Sequence, residues 1–275
     1  MQCMLSLYEK SMPNEISWKE KLTAGREAGF DALEISIDES EEKLSRLDWS
    51  KQERKELLTL TREIGLYINT MCLSGHRKYP LGSSNPETET RGMKIMEQAI
   101  ELAYDLGIRI IQLAGYDVYY EPSNADTQAR FGQNLERAVH MAEKRGVILA
   151  FETMETPFMN TIEKAMRYVH AVNSPYLQVY PDIGNISNGT ENIVSDIVTG
   201  KGHIVAAHLK ETRPGVFRDL HYGEGNVDFS TAVSVLKQQG VGWYNAEFWY
   251  EPSYKNGDWR GALREAHDFL RPYLK

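Results

Sequence analysis

Long apolar runs are missing from this chain. No segment approaches the roughly 20 consecutive apolar residues of a helical membrane span, so no membrane partner is expected. The start, Met1-Gln2-Cys3-Met4-Leu5, lacks the basic opening and apolar core of a secretory leader. Two cysteines, Cys3 and Cys72, are too few and too far apart for a disulfide framework, so the expectation is a cytoplasmic protein with reduced thiols. Positive charge is short as well: 31 Lys and Arg stand against 39 Asp and Glu, a net charge of −8. That argues against nucleic acid, whose binding rests on a basic surface, yet leaves room for a small anion in a local basic pocket. No Gly-x-Gly-x-x-Gly follows the first strand-like stretch, which removes the dinucleotide-binding signature. No linker breaks the chain, so residues 1–275 read as one domain.

What is present is a repeated joint. Glycine followed at once by an apolar residue closes helix-like segments at Gly29-Phe30, Gly65-Leu66, Gly107-Ile108, Gly146-Val147 and Gly240-Val241. Glycine enters the left-handed conformation without a steric penalty, so it ends a helix and lets a strand begin. The steps are 36, 42, 39 and 94 residues, the last leaving room for one unmarked joint. Strands are expected at 4–8, 32–36, 66–71, 108–114, 147–151, 177–182, 203–208 and 243–247, with a helix after each. The acidic run Asp38-Glu39-Ser40-Glu41-Glu42 reads as a solvated loop. Eight strands alternating with eight helices predict an α/β fold, a closed parallel (β/α)8 barrel rather than an open doubly wound sheet.

Four of these strands end on residues able to bind a metal. Gly146-Val147-Ile148-Leu149-Ala150-Phe151 runs into Glu152, and Asp182, His208 and Glu247 close the next three. A single carboxylate at a strand end is ordinarily a cap or half of a salt bridge. Four ligand types on successive strands converge at one rim, where barrels of this kind keep their active sites. Three carboxylates suit Mn²⁺ or Mg²⁺, and the histidine admits Zn²⁺ or Co²⁺.

The order Glu, Asp, His, Glu at successive strand ends resembles the metal site of the xylose-isomerase-like TIM barrels. Five further stretches resemble the L-ribulose-5-phosphate 3-epimerase family, also called L-xylulose-5-phosphate 3-epimerases. They are Tyr8-Glu9-Lys10-Ser11-Met12-Pro13, Glu34-Ile35-Ser36-Ile37-Asp38-Glu39-Ser40, Arg46-Leu47-Asp48-Trp49-Ser50, residues 74–83 from Ser74-Gly75-His76-Arg77 onward, and His221-Tyr222-Gly223-Glu224-Gly225. The resemblance implies a small phosphorylated ketopentose as substrate and interconversion of L-ribulose 5-phosphate and L-xylulose 5-phosphate in pentose or ascorbate catabolism. It implies one divalent ion, Mn²⁺ or Zn²⁺ first, on Glu152, Asp182, His208 and Glu247, with Glu152 and Glu247 doubling as the acid/base pair. Inverting a carbon beside a ketone needs two opposed proton carriers, which two glutamates on separated strands provide.

The phosphate needs donors. His76, Arg77 and Lys78 after the third strand and Lys210, Arg213 and Arg218 after the seventh are the basic residues of mouth-side loops, with His76 first among them. His221 is expected to orient a ligand or a substrate hydroxyl. Tyr116, Tyr119 and Tyr120 are expected to pack or to cover the site. Trp18, Trp49, Trp249 and Trp259 are left to the core or to an interface, a homodimer among the expected states. The competing readings are an epimerase or isomerase of unphosphorylated keto-sugars, a non-catalytic sugar-binding barrel, and an abasic-site endonuclease. The last calls for more histidines and a basic groove than this chain has.

Overall fold

Strand and helix boundaries follow the local signals closely. The structure, a computed structural model, describes residues 3–275. In chain order the first half holds β1 (Met4–Tyr8), α1 (Trp18–Glu27), β2 (Ala32–Ser36), α2 (Glu41–Leu44), α3 (Lys51–Ile64), β3 (Tyr67–Leu73), α4 (Pro86–Leu106), β4 (Ile110–Ala114) and α5 (Ala125–Glu143). The second half holds β5 (Ile148–Glu152), α6 (Ile162–Val172), β6 (Leu177–Val179), α7 (Ile183–Gly189), α8 (Ile193–Thr199), β7 (Ala207–Leu209), α9 (Phe229–Gln238), β8 (Trp243–Ala246) and α10 (Trp259–Leu270). All five glycine joints carry a positive φ, as a helix-to-strand reversal requires. The long last step holds two unmarked joints rather than one: Asn173, the C-cap of α6 at φ 51°, where asparagine does the work of glycine, and the end of α8, capped by Gly200 and followed by Gly202 at φ 85°.

Every strand pairing is parallel, in the order β6-β5-β4-β3-β2-β1-β8-β7. The remaining seam, between β6 and β7, is closed by two isolated parallel bridges, Val179 to Ile204 and Asp182 to His208. Leu5, Leu7, Leu33, Ile35, Leu149 and Phe151 pack with helix residues in one large apolar cluster. Ile110, Ala150, Tyr180 and Ala206 form a smaller cluster of their own. Side chains alternate along a strand, so Glu152 shares the face of Ala150, and Glu247 that of Asn245.

Two further expectations need correction. The acidic run is not wholly a solvated loop: Ser40 caps α2, a 3-10 turn over Ser45–Asp48 follows, and both carry Lys43 and Arg46 into the interior. Strands six and seven are shorter than expected. Pro181 has no N–H to continue a ladder, and Asp182 turns the chain straight into α7 as its N-cap. Of residues 203–206, only Ile204 pairs, through its bridge to Val179.

Candidate metal centre

Glu152 is the last residue of β5. Asp182 accepts from the Asn185 backbone N–H at 3.1 Å, and its own N–H donates to Thr153 Oγ1 at 3.0 Å, so strand five braces the turn after strand six. Gly184 allows that turn to sit close: a Cβ there would lie 2.5 Å from the Lys210 carbonyl oxygen. His208 lies inside β7, its N–H donating to the Pro181 carbonyl, and the Glu247 N–H donates to the Leu209 carbonyl. Each of the last three is thus tied through backbone to the neighbouring strand. The four side chains are buried, and one ligand atom from each lies within 4.8 Å of all the others.

His208 is the hub. Its Nδ1 is 2.8 Å from Glu247 Oε2 and 3.6 Å from Glu152 Oε1, while Nε2 is 2.7 Å from Glu34 Oε1. The Gln112 amide nitrogen is 3.1 Å from each ring nitrogen. The Lys210 ammonium is pressed against Asp182 Oδ2 and is 3.7 Å from Glu247. Burial pushes the Glu152 carboxyl up, and the Glu247 charge adds to this. Burial likewise raises Asp182, to about 7, against the pull of Lys210. At Glu247 burial also opposes ionisation, but Lys210 and His208 outweigh it and hold the carboxyl well below its usual range. For His208, burial is overcome by Glu34 and Glu247, which favour the charged ring.

A divalent ion fits this donor set. Three enclosed carboxylates are costly without matching positive charge, and here they share one lysine and one histidine, the histidine also facing Glu34. Three hard oxygens and one imidazole nitrogen are the ligand chemistry of Mn²⁺, Zn²⁺, Co²⁺ or Mg²⁺. Placed at the C-terminal ends of the strands, they occupy the catalytic end of a parallel barrel.

The sequence profile of the xylose isomerase-like TIM barrel family matches residues 22–273. The chain belongs to that family. Within it, the chain is 47% identical over 251 residues to the L-ribulose-5-phosphate 3-epimerase UlaE of Salmonella heidelberg (strain SL476), covering 91% of this chain and 88% of the relative. It is also 47% identical over 271 residues to the UlaE of Escherichia coli O139:H28 (strain E24377A / ETEC), covering 98% and 94%. At that similarity the chain is a member of the L-ribulose-5-phosphate 3-epimerase family and an enzyme of the epimerase kind. Among solved structures, the D-allulose 3-epimerase from Methylomonas sp. shares the fold at a TM-score of 0.81 and 18% identity, covering 99% of this chain and 97% of that one. The structure of an L-ribulose 3-epimerase does so at 0.78 and 19%, covering 99% and 94%.

In this member of the family a chamber opens above the four ligands. Tyr8, Lys10, Cys72, Ser74, Arg77, Met154, Glu155, Asn185, Phe217, Arg218 and Trp249 line it with Glu152, Lys210 and Glu247. Of the basic residues singled out from the sequence, Lys210, Arg77 and Arg218 therefore reach the chamber, whereas His76, Lys78, Arg213 and His221 do not line it. His76 is buried with Nε2 3.1 Å from the Gly92 carbonyl oxygen of α4, and burial pushes its pKa down to about 4. Arg213 is exposed and pairs through backbone with Val216, and His221 stacks on Tyr254 with ring centroids 3.5 Å apart. Tyr116 donates to Glu155 at 2.7 Å, and Arg77 lies over the Tyr116 and Tyr119 rings. Lys10 and Asn185 escaped the reading of the sequence. The one signal for Lys10 was its place directly beyond β1. A larger apolar groove of about 560 Å³ has Trp18, Trp49, Leu57 and Leu60 in its walls with Glu53, Glu56 and Glu63, but among the described residues only the four at the strand ends gather ligand atoms closely enough for one ion.

Proposed function

We propose that this enzyme interconverts L-ribulose 5-phosphate and L-xylulose 5-phosphate, with Glu152, Asp182, His208 and Glu247 holding one divalent ion, Mn²⁺ or Zn²⁺ first. The observation that carries this reading is the placing of Glu152, at the end of β5, and Glu247, directly after β8, in one cluster of ligand atoms at the floor of one chamber. The 47% identity to the UlaE relatives supports the choice of sugar and of carbon 3. A cytoplasmic place in pentose or ascorbate catabolism and a homodimeric state belong to the same reading.

A bound divalent ion supplies positive charge to the ketone and its neighbouring hydroxyl as negative charge develops on their oxygens. The protein does the rest. One glutamate removes the proton from carbon 3 on one face and the other returns a proton on the opposite face, which inverts that carbon. Lys210, already against Asp182 and near Glu247, adds a fixed cation where the negative charge grows. Trp249 and Phe217 wall the chamber against water. Arg77 and Arg218 have no carboxylate within salt-bridge distance among the described residues, which fits them to an incoming phosphate.

The test is a proton NMR assay of L-xylulose 5-phosphate and of free L-xylulose in deuterated buffer. The expected result is turnover of the ester with deuterium entering at carbon 3. Equal or faster turnover of the free sugar replaces the substrate with an unphosphorylated keto-sugar, and inversion without deuterium removes the two-glutamate exchange.

A further inference from the structure

Glu34 stands in the middle of β2, between Leu33 and Ile35, and is fully enclosed. An acid in such a place is costly unless every lone pair is met. Glu34 meets four donors. Oε1 accepts from Asn245 Nδ2 at 2.8 Å and lies 2.7 Å from His208 Nε2, while Oε2 accepts from Thr70 Oγ1 at 2.8 Å and the Tyr180 hydroxyl at 3.1 Å. The donors come from β3, from the turn after β6, from β7 and from β8, so the carboxylate is held in one orientation from across the barrel.

Three of these partners are neutral anchors. The fourth is the imidazole whose other nitrogen faces Glu152 and Glu247. A carboxylate accepting from Nε2 keeps the proton on that atom, turns the Nδ1 lone pair toward the centre, and strengthens the ring as a donor. We propose that Glu34 is a positioning residue of the divalent centre, fixing His208 so that Nδ1 is its ligand nitrogen. The inference rests on the reading that Glu152, Asp182, His208 and Glu247 hold an ion. Glu34 does not line the chamber, so it acts on substrate only through His208.

The probe is Co²⁺, bound to wild type and to Glu34→Gln in competition with a chromophoric chelator. Glutamine keeps the volume and one acceptor but removes the charge. The expected result is an affinity lower by about 10- to 100-fold, the range for loss of such a partner, with displaced visible Co²⁺ bands. Unchanged affinity and bands overturn the proposal, as does lower stability of the metal-free variant with unchanged Co²⁺ affinity, since that is a packing effect alone. If Glu34→Gln does not fold, the ¹⁵N shifts of His208 in Zn²⁺-loaded wild type decide the matter. Protonated Nε2 with metal on Nδ1 supports the proposal, and metal on Nε2 overturns it. Wild type that takes up no stoichiometric Co²⁺ overturns the metal centre itself, an outcome distinct from a variant that binds as well as wild type.

Discussion

Glu9 and Glu152 are both buried carboxylates just past or at the end of a strand, at the same rim of the barrel, and burial pushes both toward the protonated form. At Glu9 the chain supplies its own answer. Lys21 and Lys43 each approach Oε1 at 2.7 Å, Arg46 grips both oxygens at 2.6 and 2.8 Å, and the Ser36 N–H donates at 3.0 Å. These cations overcome burial and hold Glu9 well below the usual carboxylate range. At Glu152 the only ion-pair partner within 4 Å among the described residues is His208, which is shared with two other acids, and burial prevails. A buried acid is therefore no mark of function by itself. The mark is a buried acid for which the fold provides too little positive charge.

If that distinction holds, removing the two acids must do opposite things. Glu152→Gln and Glu247→Gln each take away a proton carrier, and turnover of L-xylulose 5-phosphate is expected to fall about 10³-fold or more, in the upper range for such groups. Compared in the metal-free state, Glu152→Gln should melt close to wild type, because burial disfavours the charge at that position. Near-normal turnover in both would erase their chemical role. Glu9→Ala should do the reverse. Breaking a buried ion pair leaves uncompensated charge and costs about 3–5 kcal/mol, and here three cations are left behind. Denaturant melts are expected to show this loss, while molecules still folded keep their metal site.

The two regions also differed in how well the sequence announced them. Glu152, Asp182 and Glu247 could be found because each follows an apolar run, and the glycine joints numbered the strands. Glu9 and Glu34 could not be assigned partners, because theirs lie 12 to 37 and 36 to 211 residues away. Local patterning is blind to such separations. Glu34 did leave a trace, a charge inside the apolar stretch Ala32-Leu33-Glu34-Ile35. α7 was hidden for a different reason: Ile183-Gly184-Asn185-Ile186-Ser187-Asn188-Gly189 has the glycine and asparagine content of a loop, and it is a helix because Asp182 caps it against strand five. Lys43 and Arg46 were concealed by the acidic residues before them, since charge composition does not tell which way a long side chain turns.

Acid sharpens the contrast between a buried charge that is paired and a buried base that is not. Glu9 has a depressed pKa, so its contribution is present above the unfolded value and disappears only as pH falls below the usual carboxylate range. His76 is buried with the Gly92 carbonyl as its one hydrogen-bond partner among the described residues, and burial lowers its pKa from 6.5 to about 4. Its folded form is neutral, so its share of stability is intact above pH 6.5 and is lost as pH falls from there to about 4. Linkage makes this about 3 kcal/mol. Denaturant melts between pH 7 and 4 should show the loss in wild type, and His76→Gln should flatten that interval. An unaltered slope in the variant would assign the acid sensitivity elsewhere.

Chelation separates the two clusters most gently. Glu9 owes nothing to a bound ion, but the acids around His208 do, so a strong chelator acts on one region alone. A ligand that binds only the folded state adds RT ln(1 + [L]/Kd), about 2.7 kcal/mol at a hundredfold excess over Kd. With an unfolding entropy of about 2.1 cal/mol/K per residue, that moves the melting temperature of a chain this long by about 5 °C. The stripped enzyme is expected to melt lower by that amount and to be inactive, and Mn²⁺, Zn²⁺ or Co²⁺ should restore both properties. Asp182→Asn weakens the site without touching Glu9, so its melting temperature should respond less to the chelator. An equal response in that variant would mean that the stabilising ion sits somewhere other than among these four side chains.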